Sequence, residues 1–255
     1  MSTALLQLHG IRRQVGGLRI LDNITLSLQE TEIMGIIGPN GAGKTSLFNV
    51  ISGQNHVDQG QLTFAGQSIT ALSVAQRARL GIARSFQSSR IFPDLSILDN
   101  LALALRVRQG SAYRWWRASH WLHSSHTLAQ NLLQHTELES RASVLAGSLS
   151  YGEQRILDVL ICLAQQPNLL LLDEPTAGLS PAESQSIMRL TQRHSKTCGV
   201  LLISHDVDIV MEHCQRIAVL SNGQLLACDT PANIRQHAAV QQAYLGTLTP
   251  MEQHT

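Results

Sequence analysis

Short, unbroken apolar runs alternate along the chain with stretches in which apolar residues recur every three or four positions. Ile33–Ile37, Leu169–Leu172 and Val200–Ile203 are runs of four or five apolar residues, the pattern of strands buried on both faces of a parallel sheet. The first run leads through a glycine-rich turn into a pattern that predicts a helix from near Lys44. Between the second and third, Ser180-Pro181-Ala182-Glu183 precedes Ile187, Met188 and Leu190. A serine cap, a proline in the first helical position and a glutamate three residues after the serine satisfy the amides that open a helix. Ile217–Leu220, Asn222-Gly223 and Leu225–Ala227 spell a hairpin. Strand and helix in alternation predict an α/β fold built on a parallel sheet.

From about Ser88 to Cys162 this rhythm gives way to helical spacing, over Ile97–Val107, Leu122–Leu138 and Tyr151–Ala164. No internal repeat and no Pro/Ser-rich linker divides the chain, so a single domain over 1–242 is expected. Its core is placed at about 1–87 and 163–242, a helical insertion at about 88–162 and a tail at 243–255.

Composition narrows the possibilities. With 44% hydrophobic and only 15% charged residues, the chain is too apolar for a disordered protein. Its 19 Lys+Arg against 18 Asp+Glu leave a formal charge of +1, so no overall field draws it to nucleic acid or a membrane, and any basic site is local. No apolar run approaches the roughly 20 residues of a membrane helix, and Met1–Gln7 lacks the basic and apolar regions of a secretory signal; a cytoplasmic chain is expected. Cys162, Cys198, Cys214 and Cys228 form no Cys-x-x-Cys pair and read as buried thiols of a reducing compartment.

The chemistry is concentrated in a few motifs. Gly38-Pro39-Asn40-Gly41-Ala42-Gly43-Lys44-Thr45, followed by Ser46, matches a phosphate-binding loop between a strand and a helix. Glycines let successive amides turn onto phosphate oxygens, the helix N-terminus adds positive potential, Lys44 reaches the β and γ phosphates, and the Thr45 hydroxyl is a ligand for Mg²⁺. Asp173, at the end of the leucine strand, is placed to hold the same Mg²⁺, and Glu174 to orient and deprotonate water. His205 follows the third strand in Leu-Ile-Ser-His-Asp, at the carboxyl edge where ligands of parallel sheets bind.

Other segments gain meaning by resemblance. Leu149-Ser150-Tyr151-Gly152-Glu153-Gln154 resembles the signature motif of ATP-binding cassette (ABC) ATPases, Gln87 in Ala-Arg-Ser-Phe-Gln resembles their Q-loop, Ala177–Ser180 their D-loop and His205 their switch histidine. With the phosphate loop and Asp173-Glu174 the set stands in the family's order and covers essentially the whole chain. The resemblance implies a RecA-like parallel-sheet core with N-terminal antiparallel β elements and an inserted α-helical subdomain. It also implies ATP and Mg²⁺ as cofactors, Gln87 touching Mg²⁺ and the transporter, Glu174 as catalytic base, and Ser150, Gly152 and Glu153 presented to the nucleotide of the opposite protomer. A helix N-terminus supplied in trans works only if two nucleotide sites close face to face, so activity is expected to require a dimer.

Val15-Gly-Gly-Leu18, Arg77–Gln87, the Tyr-Gly form of the signature, Asp173–Pro181 and Ala243-Tyr-Leu-Gly246 are similar to the importers of branched-chain and other hydrophobic amino acids. That likeness implies separate membrane permeases, a second ATPase protomer of the same or a related chain, a periplasmic solute-binding protein, and a position at the cytoplasmic face of the inner membrane. ATPases for urea or short amides and for lipopolysaccharide export share much of the pattern and stand as alternatives. A soluble ABC ATPase acting on DNA or ribosomes is expected to carry coiled-coil arms or two cassettes, whereas one phosphate loop is present here; a regulator without turnover is expected to lack Glu174 or His205. The usual adenine-stacking aromatic is replaced by Val15, which predicts base contact weaker by about 1 kcal/mol.

All three tryptophans, 115, 116 and 121, share one segment with Arg106, Arg108, Arg114, Arg117 and Tyr113, and no acidic residue lies between Asp99 and Glu137. A membrane- or transporter-facing patch, a nucleic-acid surface and ordinary local packing are all open readings, with nucleic acid disfavoured by the near-neutral charge. His120, His123 and His126 spread over about 120° of a helix and make a poor metal site.

Overall fold

The computed structural model describes residues 4–85, 91–108 and 118–245. Gln87, Trp115 and Trp116, and the end of the chain from 246, lie outside them. In chain order the strands are β1 (Ala4–Val15), β2 (Leu18–Gln29), β3 (Ile33–Ile37), β4 (Gln59–Phe64), β5 (Gln67–Ser68), β6 (Ile82–Arg84), β7 (Leu169–Asp173), β8 (Gly199–Ile203), β9 (Arg216–Ser221) and β10 (Gln224–Asp229). The helices are α1 (Lys44–Ser52), α2 (Val74–Arg79), α3 (Ile97–Arg108), α4 (Ala118–Leu133), α5 (Tyr151–Ala164), α6 (Pro181–His194), α7 (Val207–His213), α8 (Pro231–Gln236) and α9 (Ala238–Leu245).

Among the described residues one sheet has the order β10-β9-β3-β8-β7-β6, parallel except for β10, and a second, antiparallel sheet has the order β2-β1-β4-β5. The apolar runs of the parallel strands are continuous because each face meets a different layer. Leu170, Leu172, Val200 and Leu202 join a core shared with α3, α4, α5 and α6. Leu169, Leu171, Leu201 and Ile203 join another shared with α1 and the antiparallel sheet. Each leucine buried this way contributes about 1.5–3 kcal/mol relative to exposure. The hairpin β9–β10 turns at Asn222 and Gly223, both at positive φ (48° and 76°), as a tight hairpin turn requires.

One helix ends earlier than its apolar spacing predicts. Leu138 is fully buried, yet α4 stops at Leu133 and His135 adopts φ 61°. The Leu133 carbonyl is taken by Thr136, through both its amide and its hydroxyl, so the chain turns and reaches Leu138 without continuing the helix. His126 of α4 pairs with Asp99 of α3 at 3.3 Å, and among the described residues no group of three or more His, Cys, Asp or Glu is placed to hold a metal ion. Cys162, Cys198 and Cys214 are buried; burial pushes the Cys198 thiol up to about 11 and the Cys214 thiol to about 12, and raises Cys162 well above its ordinary range.

Candidate active site

The parallel topology gathers the predicted residues at one edge. β3 lies beside β8 and β8 beside β7, so their carboxyl ends bring Gly38, His205 and Asp173-Glu174 together. Gly38 to Gly43 form the loop from β3 to α1, with Ala42 buried and Asn40 and Gly41 exposed. Gly43 caps α1 at φ 99°, and a Cβ there would stand 2.8 Å from the Ile20 carbonyl, so both backbone and space demand glycine. No side chain caps α1, which leaves amides of its first turn available to an anion, with Thr45 exposed beside them.

Lys44 is buried, and its ammonium donates to the carbonyls of Gly38 at 2.7 Å and Pro39 at 3.0 Å, arching the loop over its own side chain. Burial lowers its pKa, and the nearby charges of Glu174 and Asp173 oppose that drop. Asp173 is 1% exposed. Its Oδ2 accepts from Arg84 at 2.8 Å, its amide donates to Ser85 Oγ at 3.2 Å, and its Oδ1 is buried without a hydrogen-bond partner. Glu174 holds φ 50°, a left-handed backbone rarely adopted by glutamate, fixed in part by its amide's 2.9 Å bond to the Ile203 carbonyl. His205 Nε2 donates to Glu174 Oε1 at 2.6 Å. The two predicted site residues are thus already in contact.

The signature residues begin α5. Ser150 is the helix cap: its hydroxyl accepts from the Glu153 amide at 3.2 Å, and Glu153 Oε2 accepts from the Ser150 amide at 2.9 Å. Glu153 also pairs with Arg141. Burial would raise its pKa, but the bonds from Ser150 and Arg141 outweigh it and lower the value. α6 opens with the same box, Ser180 and Glu183, behind Pro181 at its first turn, as its sequence predicts. The two openings touch: a Cβ on Gly152 would stand 1.9 Å from Glu183 Oε1, and the Tyr151 hydroxyl donates to the Ala177 carbonyl at 3.4 Å. Val15 is 53% exposed, ending β1 just before Gly16-Gly17.

Two functional candidates escaped the sequence. Arg84, within the Arg77–Gln87 run, pairs with Asp173 from the neighbouring strand, which only the strand order reveals. The link from Tyr151 to the D-loop depends on how α5 and α6 pack.

A phosphate loop with a buried lysine, beside two strand-end carboxylates and a histidine, is the construction of a P-loop ATPase. Residues 21–177 match the family model of the ABC transporter, and the chain belongs to that family, whose ATP-binding cassettes hydrolyse ATP. The chain is 36% identical to the "High-affinity branched-chain amino acid transport ATP-binding protein LivG" of Salmonella typhimurium, over 96% of this chain and 99% of that protein. It is 32% identical to the "Lipopolysaccharide export system ATP-binding protein LptB" of Escherichia coli, covering 95% and 98%. Its fold is similar to the ADP conformation of MJ1267, an ATP-binding cassette of an ABC transporter, with TM-score 0.84, 27% identity, and 96% and 100% of the chains covered.

Proposed function

We propose that this chain is the ATP-hydrolysing subunit of an importer for branched-chain or related hydrophobic amino acids. The supporting observation is the end-to-end likeness to LivG, 36% identical over 96% of this chain and 99% of that protein. ATP binds with its phosphates on the loop Gly38–Ser46 and its base near Val15. Glu174 takes a proton from water as the oxygen attacks the γ-phosphorus and the bond to ADP breaks, releasing ADP and phosphate; His205 orients Glu174 through its 2.6 Å bond. Ser150, Gly152 and Glu153 serve the nucleotide of a second protomer, identical or related, so that ATP closes the dimer and hydrolysis reopens it.

The residues present suit a divalent cation. Asp173 Oδ1 is a buried acceptor with nothing to accept from, an arrangement that is costly unless a ligand fills it, and the exposed Thr45 hydroxyl is a second oxygen donor. Thr45, Asp173 and Gln87 would hold Mg²⁺, which when bound neutralises charge on the β and γ phosphates.

Among the described residues no helix is long and apolar enough to cross a membrane. The subunit acts at the cytoplasmic face of the inner membrane on separate permease subunits, which a periplasmic binding protein loads; nucleic acid has no part. Helices within about 88–162 form the subdomain that meets the permease, set on the nucleotide-binding core of about 1–87 and 163–242. The test is leucine uptake into vesicles holding the permeases, the binding protein and this chain: ATP-driven uptake with the native chain and none with Glu174→Gln supports the reading. Uptake indifferent to the chain rejects it. The likeness to LptB favours one second reading, lipopolysaccharide export, which predicts stimulation by that system's permeases instead.

A further inference from the structure

Arg84 occupies an unusual position for a strand residue. Its side chain is 9% exposed, and its two terminal nitrogens serve different elements. Nη2 donates to Asp173 Oδ2 at 2.8 Å, while Nη1 donates to Asn49 Oδ1 at 2.6 Å and lies within reach of Ser52 Oγ at 3.1 Å and Gln54 Oε1 at 3.3 Å. The guanidinium carbon lies 5.7 Å from the centroid of the Phe48 ring. Asn49, Ser52 and Phe48 belong to α1, the helix that carries Lys44 and Thr45 on its first turn. The next residue, Ser85, just past β6, accepts from the Asp173 amide at 3.2 Å, so Arg84 and Ser85 together hold this aspartate by side chain and backbone.

We propose that Arg84 is a positioning residue for the metal-linked step: a rigid fork that ties Asp173 to the phosphate-loop helix and leaves Oδ1 free for the cation. Two features single out arginine for this task. A planar guanidinium presents donors in fixed directions and bridges two acceptor groups at once, which the single ammonium of lysine does not reproduce. An aspartate this deeply buried also needs a counter-charge, and Arg84 supplies it through Oδ2, leaving the other oxygen unpartnered. The distance between Asp173 and the loop around the phosphates is thereby set by Arg84 and α1 rather than by the strand alone. The proposal rests on the reading of Asp173 as a cation ligand.

The experiment is a Mg²⁺ titration of the binding of a fluorescent ATP analogue to the full chain, alongside its binding in EDTA. If Arg84 acted only as a charge, Arg84→Met would make Asp173 more attractive to a cation, and the Mg²⁺ midpoint would fall. The positioning role predicts the opposite sign: the midpoint rises about tenfold, the scale on which partners of metal ligands matter, while metal-free binding stays within about twofold. Arg84→Lys, which keeps the charge and loses the fork, and Asn49→Ala, which removes one end of the bridge, both raise the midpoint by about threefold or more. These two gentler variants decide the matter if Arg84→Met does not fold. A midpoint that falls or stays unchanged across the folded variants overturns the proposal. Asp173→Asn separates the two levels: if it leaves the midpoint where it was, the reading of Asp173 as a ligand fails, whatever Arg84 does.

Discussion

Helices α1 and α5 begin in opposite ways. α1 opens on Gly43 with no side chain over its amides, whereas α5 opens on Ser150 with a complete capping box and Arg141 bound to the same glutamate. An uncapped helix start leaves its first amides to solvent or to a ligand, which fits the proposed seat of the phosphates on the loop before α1. The start of α5 is already satisfied. That difference fits the proposed division of labour, in which α1 binds nucleotide in the single protomer while α5 contributes its positive end only when a second protomer brings a phosphate to it.

The contrast can be broken from either side. Lys44→Ala strikes the α1 half: removing a charged donor to phosphate costs about 2 kcal/mol or more, so ATP affinity falls by roughly 30-fold or more and hydrolysis disappears with it. Nucleotide titration of the purified chain reads this directly. Ser150→Ala strikes the α5 half. It lowers folding stability by about 1 kcal/mol, visible in denaturant melts, and leaves ATP binding by the isolated chain unchanged while turnover drops. Loss of ATP binding in that variant would mean the two helix starts do not divide the task. A smaller effect is expected at the hairpin tip, where Val15→Tyr adds a stacking surface and tightens ATP by about 1 kcal/mol, near fivefold; unchanged affinity would remove Val15 from the base contact.

Much of this was legible in the residues because local chemistry and fold agree. Ile33–Ile37 is a strand and Tyr151–Ala164 a helix over the ranges that their apolar spacing predicts, and the box Ser180–Glu183 caps α6 as read. β1 was hidden for a physical reason. Its buried residues, Leu5, Leu6, Leu8 and Ile11, are unevenly spaced, and register shifts interrupt its pairing with β2, so the regular alternation that betrays a strand is lost. At the site, the loop residues and the Asp173-Glu174 pair announce themselves by order along the chain. Arg84 does not, since its hydrogen-bond partners on α1 and β7 lie 32 to 35 and 89 residues away and meet it only once β6 has taken its place at the sheet edge.

Glu174 bears the central claim, because the backbone strain at φ 50° and the bond to His205 both converge on it. Steady-state ATP hydrolysis by Glu174→Gln, measured with ATP affinity on the same preparation, tests that claim most directly. The account predicts a rate at least about 100-fold lower with affinity kept within about twofold, as expected when a general base is lost and the phosphate loop is untouched. An unimpaired rate would contradict it.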